Sequence, residues 1–269
     1  MHPICFTVGA FSVHWFGVLM ALGFLVGLAN WVDLGRREGR DFTFCSDLLF
    51  WIMVSGVLGA RLAYVASDWR YFLAEPWLIF RVDQGGLIYY GGLLGAGAGL
   101  LLFARQRRLR RAVLLDFVVT SVPPAHALGR IGCFLNGCCY GRLFGGPAAV
   151  TYPAHSLAWQ LQVEAGQLDP FAARSLPVHA VPLYEAAINV ALFVLLVEAY
   201  RRRRGDGRIL ALYLAIYPVA RFLLEFFRGD ERLQWHGLNA AQGISLGLFA
   251  IGLAILAAAP RRRPAAVNP

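Results

Sequence analysis

The sequence predicts an all-α fold: a polytopic membrane helix bundle of about seven transmembrane helices with a small external head. Three observations carry this prediction. Across 269 residues the mean hydropathy is +0.55 and 58% of the residues are hydrophobic. Several apolar runs of about twenty residues are nearly free of charge, which is the length a helix needs to cross a hydrocarbon core. The basic residues, all arginine, gather in short clusters after every second run.

Taken in order, the candidate spans are 11–32, 44–66, 86–104, 113–134, 182–200, 209–227 and 240–259, each one apolar for about the required length. The first reads as a span and not as a secretory signal, because residues 1–10 hold no Lys or Arg and no small-residue cleavage site follows. Arg36, Arg37 and Arg40 close it. After the second span, residues 68–85 carry Trp69, Tyr71, Phe72, Trp77 and Phe80 among a few charges, the composition of a short helix lying at the interface. The third span opens on a glycine run and ends at Arg105, Arg107, Arg108, Arg110 and Arg111. The fourth leads into the only long polar excursion, residues 137–181, rich in Gly and Pro. Arg201, Arg202, Arg203, Arg204 and Arg208 follow the fifth span, and Arg261, Arg262 and Arg263 follow the seventh.

Sixteen of the 25 basic residues thus lie on one side of an odd-numbered topology. Cytoplasmic loops retain positive charge, so the N-terminus is expected outside and the C-terminus in the cytoplasm. The chain, 1–269, reads as a single integral-membrane domain, with 137–181 inserted between spans four and five as an external head or lid. The net charge of +9 is mostly this topology signal, with attraction to anionic membrane lipid as a side effect. No nucleic-acid partner is expected, because the arginines sit in juxtamembrane clusters without a binding motif.

Ionisable residues within the spans stand out against this background. They are Arg61, His126, Arg130, Glu185, Arg221 and Glu225, whereas Asp47, Asp116 and Glu198 lie near the inner ends. A mid-bilayer arginine costs about 2.5–3.5 kcal/mol unless it pairs, snorkels or holds a ligand. Arg221 and Glu225 are four apart and share a helix face, so a structural ion pair accounts for them. Arg61 could pair with Glu185 across the bundle. Pairing of that kind does not explain Arg130, which lies between Gly129 and Gly132, with His126 one turn earlier on the same face. The glycines of 85–95 permit either close helix packing or close approach to a bound group.

In order along the chain, several runs resemble the motifs of the bacterial prolipoprotein diacylglyceryl transferase family. They are Phe11-Ser12-Val13-His14-Trp15-Phe16-Gly17, Gly59-Ala60-Arg61-Leu62-Ala63-Tyr64, the glycine run 85–95, the glycine-arginine run 129–142, His179 with Leu183-Tyr184-Glu185, and the stretch from Arg221 to Arg228. The likeness covers nearly the whole chain. It implies a bacterial inner-membrane enzyme that moves the diacylglyceryl group from phosphatidylglycerol to the lipobox cysteine of a preprolipoprotein, releasing glycerol phosphate, with no cofactor. In that reaction a thiolate attacks a glycerol carbon while a phosphate leaves, so fixed cations in a low-dielectric site lower the barrier. Arginine suits the task through its planar fork and permanent charge.

By position in these motifs, Arg130 and Arg221 are assigned to the phosphate, with Arg61 as a third cation or a structural partner. Glu225 orients Arg221 or manages the thiol proton. Asn136 contacts the headgroup, Gly91, Gly92 and Gly141 allow close approach, and Tyr184 and Glu185 support the arginines. Several positions depart from the common pattern: Phe16 for tyrosine, Tyr90 for histidine, Cys133 for asparagine, Cys138 for an acidic residue and Ala180 for proline. The proton acceptor is therefore open between His126, Tyr90 as a relay, and no base at all where the cations suffice; the last is favoured. Cys133, Cys138 and Cys139 are read as packing or a disulfide, and a metal site is disfavoured for want of a histidine at ligand spacing or a paired C-x-x-C. His14 reads as interfacial and His179 as structural, while His2, His155 and His236 lie in no motif.

Two other readings remain open. A transporter or channel for an anionic or phosphorylated solute would use the same arginines, and it predicts inverted repeats, for which residues 1–134 and 135–269 show no similarity. A family member with a changed thiol acceptor would fit Tyr90 and Cys133. Because a lipid must enter between helices and a peptide from outside, the transferase reading expects the site near Arg130, under the head.

Overall fold

A computed structural model of the chain describes residues 4–9, 11–81, 85–203, 205–229, 234–235 and 238–258. Of the residues discussed above, His2, Arg204, His236, Arg261, Arg262 and Arg263 lie outside this set, as do residues 82–84 and 259. In chain order the elements are β1 (Ile4–Val8), β2 (Phe11–His14), α1 (Trp15–Arg36), α2 (Phe42–Ser67), α3 (Trp69–Ala74), a 3₁₀ turn (Pro76–Phe80), α4 (Tyr89–Gln106), α5 (Arg111–Val119) and α6 (Val122–Asn136). They continue with β3 (Ala149–Val150), α7 (Leu157–Glu164), β4 (Val178–His179), α8 (Val181–Arg201), α9 (Arg208–Glu225), β5 (Gln234–Trp235), β6 (Leu238–Asn239) and α10 (Ala240–Ala258). Strands occur among the described residues only as three two-stranded antiparallel pairs, β1–β2, β3–β4 and β5–β6.

The fold is that of a helical, multi-pass membrane protein. Among the described residues, five stretches are long and apolar enough to cross a membrane: α1, α2, α5 with α6, α8 and α10. Their outward faces carry Phe50, Leu58, Leu62 and Val194, each more than half exposed, a surface that suits acyl chains and not water. The other two expected spans are the 18-residue helices α4 and α9. Five glycines and two tyrosines dilute the hydropathy of α4, and Arg208, Arg221 and Glu225 put three charges on α9.

Element ends depart from the expected ones for physical reasons. Residues 11–14 pair as β2, so α1 starts only at Trp15. Gly85 and Gly86 have φ of +84° and +73°, a left-handed backbone that keeps them out of α4. The expected fourth span divides at Thr120 and Ser121, ahead of Pro123 and Pro124, whose missing N–H groups suit a helix start and not its interior.

The chain divides into two compact units, one built from residues up to Asn30 and from Leu115 onward, the other from Trp31 to Leu114. In the first, α1 seats on the α5–α6 break. Asn30 Nδ2 donates to Thr120 Oγ1 and Ser121 Oγ, both at 2.9 Å, and Ser121 Oγ donates to the Gly27 carbonyl at 2.9 Å. The fully buried Asp116 accepts from the N–H groups of Gly207, Ile209 and Leu210 at 2.7, 3.0 and 2.9 Å, so a carboxylate on α5 caps the first turn of α9. Helix α8 packs on α6 and on α9, and α9 packs on α10. Between α6 and α8, residues 137–180 form α7 and the β3–β4 pair around a small core of Tyr140, Tyr152, Ala158 and Val178.

In the second unit, α2 and α4 pack through a stripe of small residues. A Cβ on Gly91 would sit 2.3 Å from Ala63 Cβ, one on Gly95 2.3 Å from the Ser55 carbonyl, and one on Gly99 2.0 Å from Ser55 Oγ. At one end of the pair Asp47 and Arg107 form an exposed ion pair at 2.6 Å. At the other, α3 and the 3₁₀ turn present Trp69, Tyr71, Trp77 and Phe80 as exposed aromatics, which matches the interfacial composition read from the sequence.

Candidate active site

The glycine-arginine run builds the last two turns of α6 and the bend after it. Gly137, at φ +76°, takes the left-handed cap conformation, its N–H reaching the Phe134 carbonyl at 3.2 Å while that of Cys138 reaches the Cys133 carbonyl at 3.1 Å. This cap ends the helix just beyond Arg130, and helical spacing puts His126 on the same face.

Three helices converge on Glu185. This side chain on α8 is fully buried, and its Oε2 pairs with Arg130 Nε of α6 at 3.0 Å. Tyr217 of α9 donates its hydroxyl to Glu185 Oε1 at 2.9 Å, and His126 Nε2 lies 3.4 Å from the same oxygen. Arg130 Nε also donates to His126 Nε2 at 3.1 Å. A His126 that accepts there carries its proton on Nδ1, so its accepting nitrogen is already engaged. Asn189, one turn after Glu185, donates to the Glu185 carbonyl at 2.8 Å.

A second ion pair lies on α9. Arg221 Nη1 and Glu225 Oε2 are 2.6 Å apart, and both side chains are almost fully buried. Asn239 Nδ2 donates to Glu225 Oε1 at 2.9 Å. The same asparagine caps α10: its Oδ1 accepts from the Gln242 N–H at 3.0 Å while Gln242 Oε1 accepts from the Asn239 N–H at 3.1 Å. The capping box thus fixes the carboxylate that faces Arg221.

Arg130 is distinguished by what it leaves free. Among the described residues its hydrogen bond and its ion pair both use Nε, so neither Nη group is engaged. A half-buried guanidinium with one edge neutralised and the other open is suited to two oxygens of an anion.

Other expected site residues stand differently. Arg61 is buried, but Nε donates to the Ile79 carbonyl at 2.8 Å, Nη1 to the carbonyls of Gly85 and Gly86 at 3.1 and 3.0 Å, and Nη2 to the Leu78 carbonyl. Its fork also lies 5.4 Å from the Tyr64 and Phe72 ring centres. The guanidinium therefore holds the backbone at Leu78, Ile79, Gly85 and Gly86. Gly91 is consumed by helix packing, and Gly92 lies 3.4 Å by its would-be Cβ from Ala60 Cβ. Tyr90 is 60% exposed and its ring meets Tyr89. Asn136 is the exposed last residue of α6. The Tyr184 hydroxyl lies 3.4 Å from His179 Nδ1, and the His179 ring stacks on Phe144 with centres 4.0 Å apart.

Gly141 sits where three chain segments cross. Its N–H donates to the His179 carbonyl at 3.0 Å, and a Cβ there would lie 2.5 Å from His179 Cβ and 2.8 Å from the Phe227 carbonyl. Arg142 Nε reaches the Arg228 carbonyl at 3.2 Å. Beside this crossing a cavity of about 720 Å³ opens between residues 140–143 and α7, with Gln162 and Glu164 on its wall.

Beyond the cap, the sulfurs of Cys133, Cys138 and Cys139 lie within 4.8 Å of one another, and all three cysteines are half-buried free thiols. Tyr152 is fully buried nearby, its hydroxyl without a hydrogen-bond partner, and burial pushes its phenol up, so it remains a donor at neutral pH.

Sequence reading missed Tyr217, Asn189 and Asn239. The first two carried a signal, since Tyr217 precedes Arg221 by four residues and Asn189 follows Glu185 by four. Asn239 carried the three-residue spacing to Gln242 of a capping box.

A family model described as prolipoprotein diacylglyceryl transferase matches residues 3–258. The chain is 35% identical over 278 residues to a phosphatidylglycerol–prolipoprotein diacylglyceryl transferase from Xanthomonas euvesicatoria, covering 97% of this chain and 92% of the relative. It is 36% identical to the proteins of the same name from Xanthomonas oryzae and Xanthomonas campestris, over 274 and 278 residues, with the same coverage.

Proposed function

This chain belongs to the prolipoprotein diacylglyceryl transferase family, and from that premise we propose how its residues divide the reaction. It is a membrane transferase that takes the diacylglyceryl group from phosphatidylglycerol to a prolipoprotein thiol, the first step of lipoprotein maturation. The acceptor is the lipobox cysteine, whose sulfur attacks the lipid's glycerol carbon at the outer face of a bacterial inner membrane. Arginine clusters after spans one, three, five and seven support an outside N-terminus and a cytoplasmic C-terminus, with α4 and α9 completing seven spans and 137–181 serving as the external head.

The observation that carries the residue assignment is the open Nη edge of Arg130, whose Nε edge is neutralised by Glu185. The phosphate of the lipid binds that open edge, and Arg221 supplies a second cation on α9. As the thiolate sulfur forms its bond to the glycerol carbon, the C–O bond breaks and its electron pair goes to the phosphate, where the guanidinium stabilises the growing charge. Glu185, Tyr217 and Asn189 keep Arg130 oriented, while Glu225 and Asn239 do the same for Arg221. Asn136 and Gly141 border the headgroup, and the cavity beside Gly141 and Arg142 supports entry of the acceptor peptide there. Arg61, Gly91, Gly92, Tyr90 and Tyr184 serve the scaffold.

Purified protein in detergent, incubated with phosphatidylglycerol and a synthetic lipobox peptide, is expected to give a peptide bearing one diacylglyceryl group by mass spectrometry. Arg130→Ala should abolish the adduct. A folded, lipid-bound wild type that forms none would refute the reading in favour of another acceptor or of solute transport.

A further inference from the structure

Resting on the transferase reading, we propose that Cys133, Cys138 and Cys139 bind one zinc ion whose fourth position receives the acceptor thiol. The cluster comes from a local geometry that spacing alone does not reveal. Cys133 begins the last turn of α6, Gly137 reverses the chain, and Cys139, with a positive φ of 59°, turns its side chain back to the same place. The three sulfurs lie within 4.8 Å of one another. A tetrahedral zinc with Zn–S bonds of about 2.3 Å places neighbouring sulfurs roughly 3.8 Å apart, so small side-chain rotations close the site. Three protein ligands leave one position open, as in catalytic zinc centres.

The surroundings point to an ion as well. Zinc on three thiolates carries a net charge of −1, and −2 once a fourth thiolate joins. Arg130 lies within electrostatic reach of Cys133 and Cys139, and Arg228 within reach of Cys139, so two cations stand beside that charge. The buried Tyr152 hydroxyl, unpartnered and within electrostatic reach of all three thiols, supplies a donor for a bound sulfur. The cysteines are only half buried, which leaves an approach for a fourth sulfur.

The chemistry gives this ion a task. A thiol must lose its proton before attack, and His126 Nε2 is already occupied by Arg130. A thiol that coordinates zinc is deprotonated outright, its proton passing to water. The bound thiolate then attacks the glycerol carbon; the C–S bond forms, the C–O bond breaks with its electron pair on the phosphate, and glycerol phosphate departs. The product thioether is a weak neutral ligand, so it leaves and the three-thiolate site reopens. Zinc undergoes no redox change, and no other reactant is needed.

The test uses the whole protein in detergent. Elemental analysis is expected to find about one zinc per chain, lost in Cys133→Ser and Cys139→Ser and kept in Cys5→Ser. Replacement by cobalt should give thiolate-to-metal absorption in the near ultraviolet and strong visible bands. A lipobox peptide should shift those bands, and the same peptide with serine for cysteine should not. Removing zinc with a chelator should lower diacylglyceryl transfer by roughly 100-fold, restored by zinc. A reduced protein that takes up no stoichiometric zinc, an intact mass two hydrogens short from a disulfide within the cluster, or a cobalt spectrum indifferent to the cysteine peptide would overturn the zinc site. Full transfer by the chelated enzyme would overturn it while leaving the transferase reading intact. Failure of the zinc-loaded enzyme to form any adduct would instead strike the transferase reading.

Discussion

Arg61 and Arg130 begin from the same position in a sequence: each is a guanidinium on a long apolar helix, within a glycine-bearing motif. Their surroundings divide them. Arg61 is closed on all sides by the carbonyls of Leu78, Ile79, Gly85 and Gly86 and by two aromatic rings. Arg130 is closed on one edge by Glu185 and His126 and left open on the other. Burial of a cation in a membrane helix is therefore no mark of a binding site. Unspent donors are, because an N–H in a membrane helix that nothing inside the protein satisfies is left to something from outside.

The sharpest way to break this contrast is to remove both arginines in turn. Arg130→Ala is expected to lower turnover by roughly 10³-fold or more, as the loss of a preorganised charge contact does, and also to lower the thermal midpoint in detergent because the buried Glu185 carboxylate loses its partner. Arg61→Ala is expected to act on stability, lowering the midpoint by the equivalent of about 1–3 kcal/mol for its orphaned carbonyls. Turnover lost in Arg61→Ala without loss of stability would reverse the assignment. Next in size is Glu185→Gln, which keeps the shape but removes the charge that orients Arg130; kcat should fall roughly 10- to 100-fold, with circular dichroism unchanged.

The glycine stripe permits a purely structural control. Gly95→Ala places a Cβ 2.3 Å from the Ser55 carbonyl and should destabilise the second unit by about 1–3 kcal/mol. Gly97→Ala, with nothing within 4 Å of its Cβ, should leave stability unchanged or raise it by up to about 1 kcal/mol in denaturant melts. The smallest expected effect belongs to Tyr217→Phe, which deletes one hydrogen bond to Glu185 and should reduce kcat roughly three- to tenfold. A loss as large as that of Arg130→Ala would move Tyr217 from a supporting role to contact with substrate.

The helices were legible because hydropathy and arginine clusters are local signals. α2, α8 and α9 lie within two residues of the ends expected for them. The division of the fourth span was written in Pro123-Pro124, yet an apolar run long enough to span masked it. In the site, motif order pointed to Arg130, Arg221, Glu185 and Glu225, and ion pairing joins each arginine to one of the two carboxylates. The fate of Arg61 was not legible, since its partners are backbone carbonyls 17 to 25 residues away that carry no side-chain signature. Nor was the thiol cluster, because it depends on a left-handed residue at Cys139 that sequence preference does not favour.

Asp116 bears on how the chain is assembled. Its three N–H donors belong to residues 91 to 94 positions later in the chain. While synthesis proceeds, α5 therefore reaches the membrane with a carboxylate that nothing yet made can satisfy. An unpaired carboxylate is costly away from water, so α5 gains its buried position only together with the first turn of α9. The final seat of an early segment thus depends on a late one.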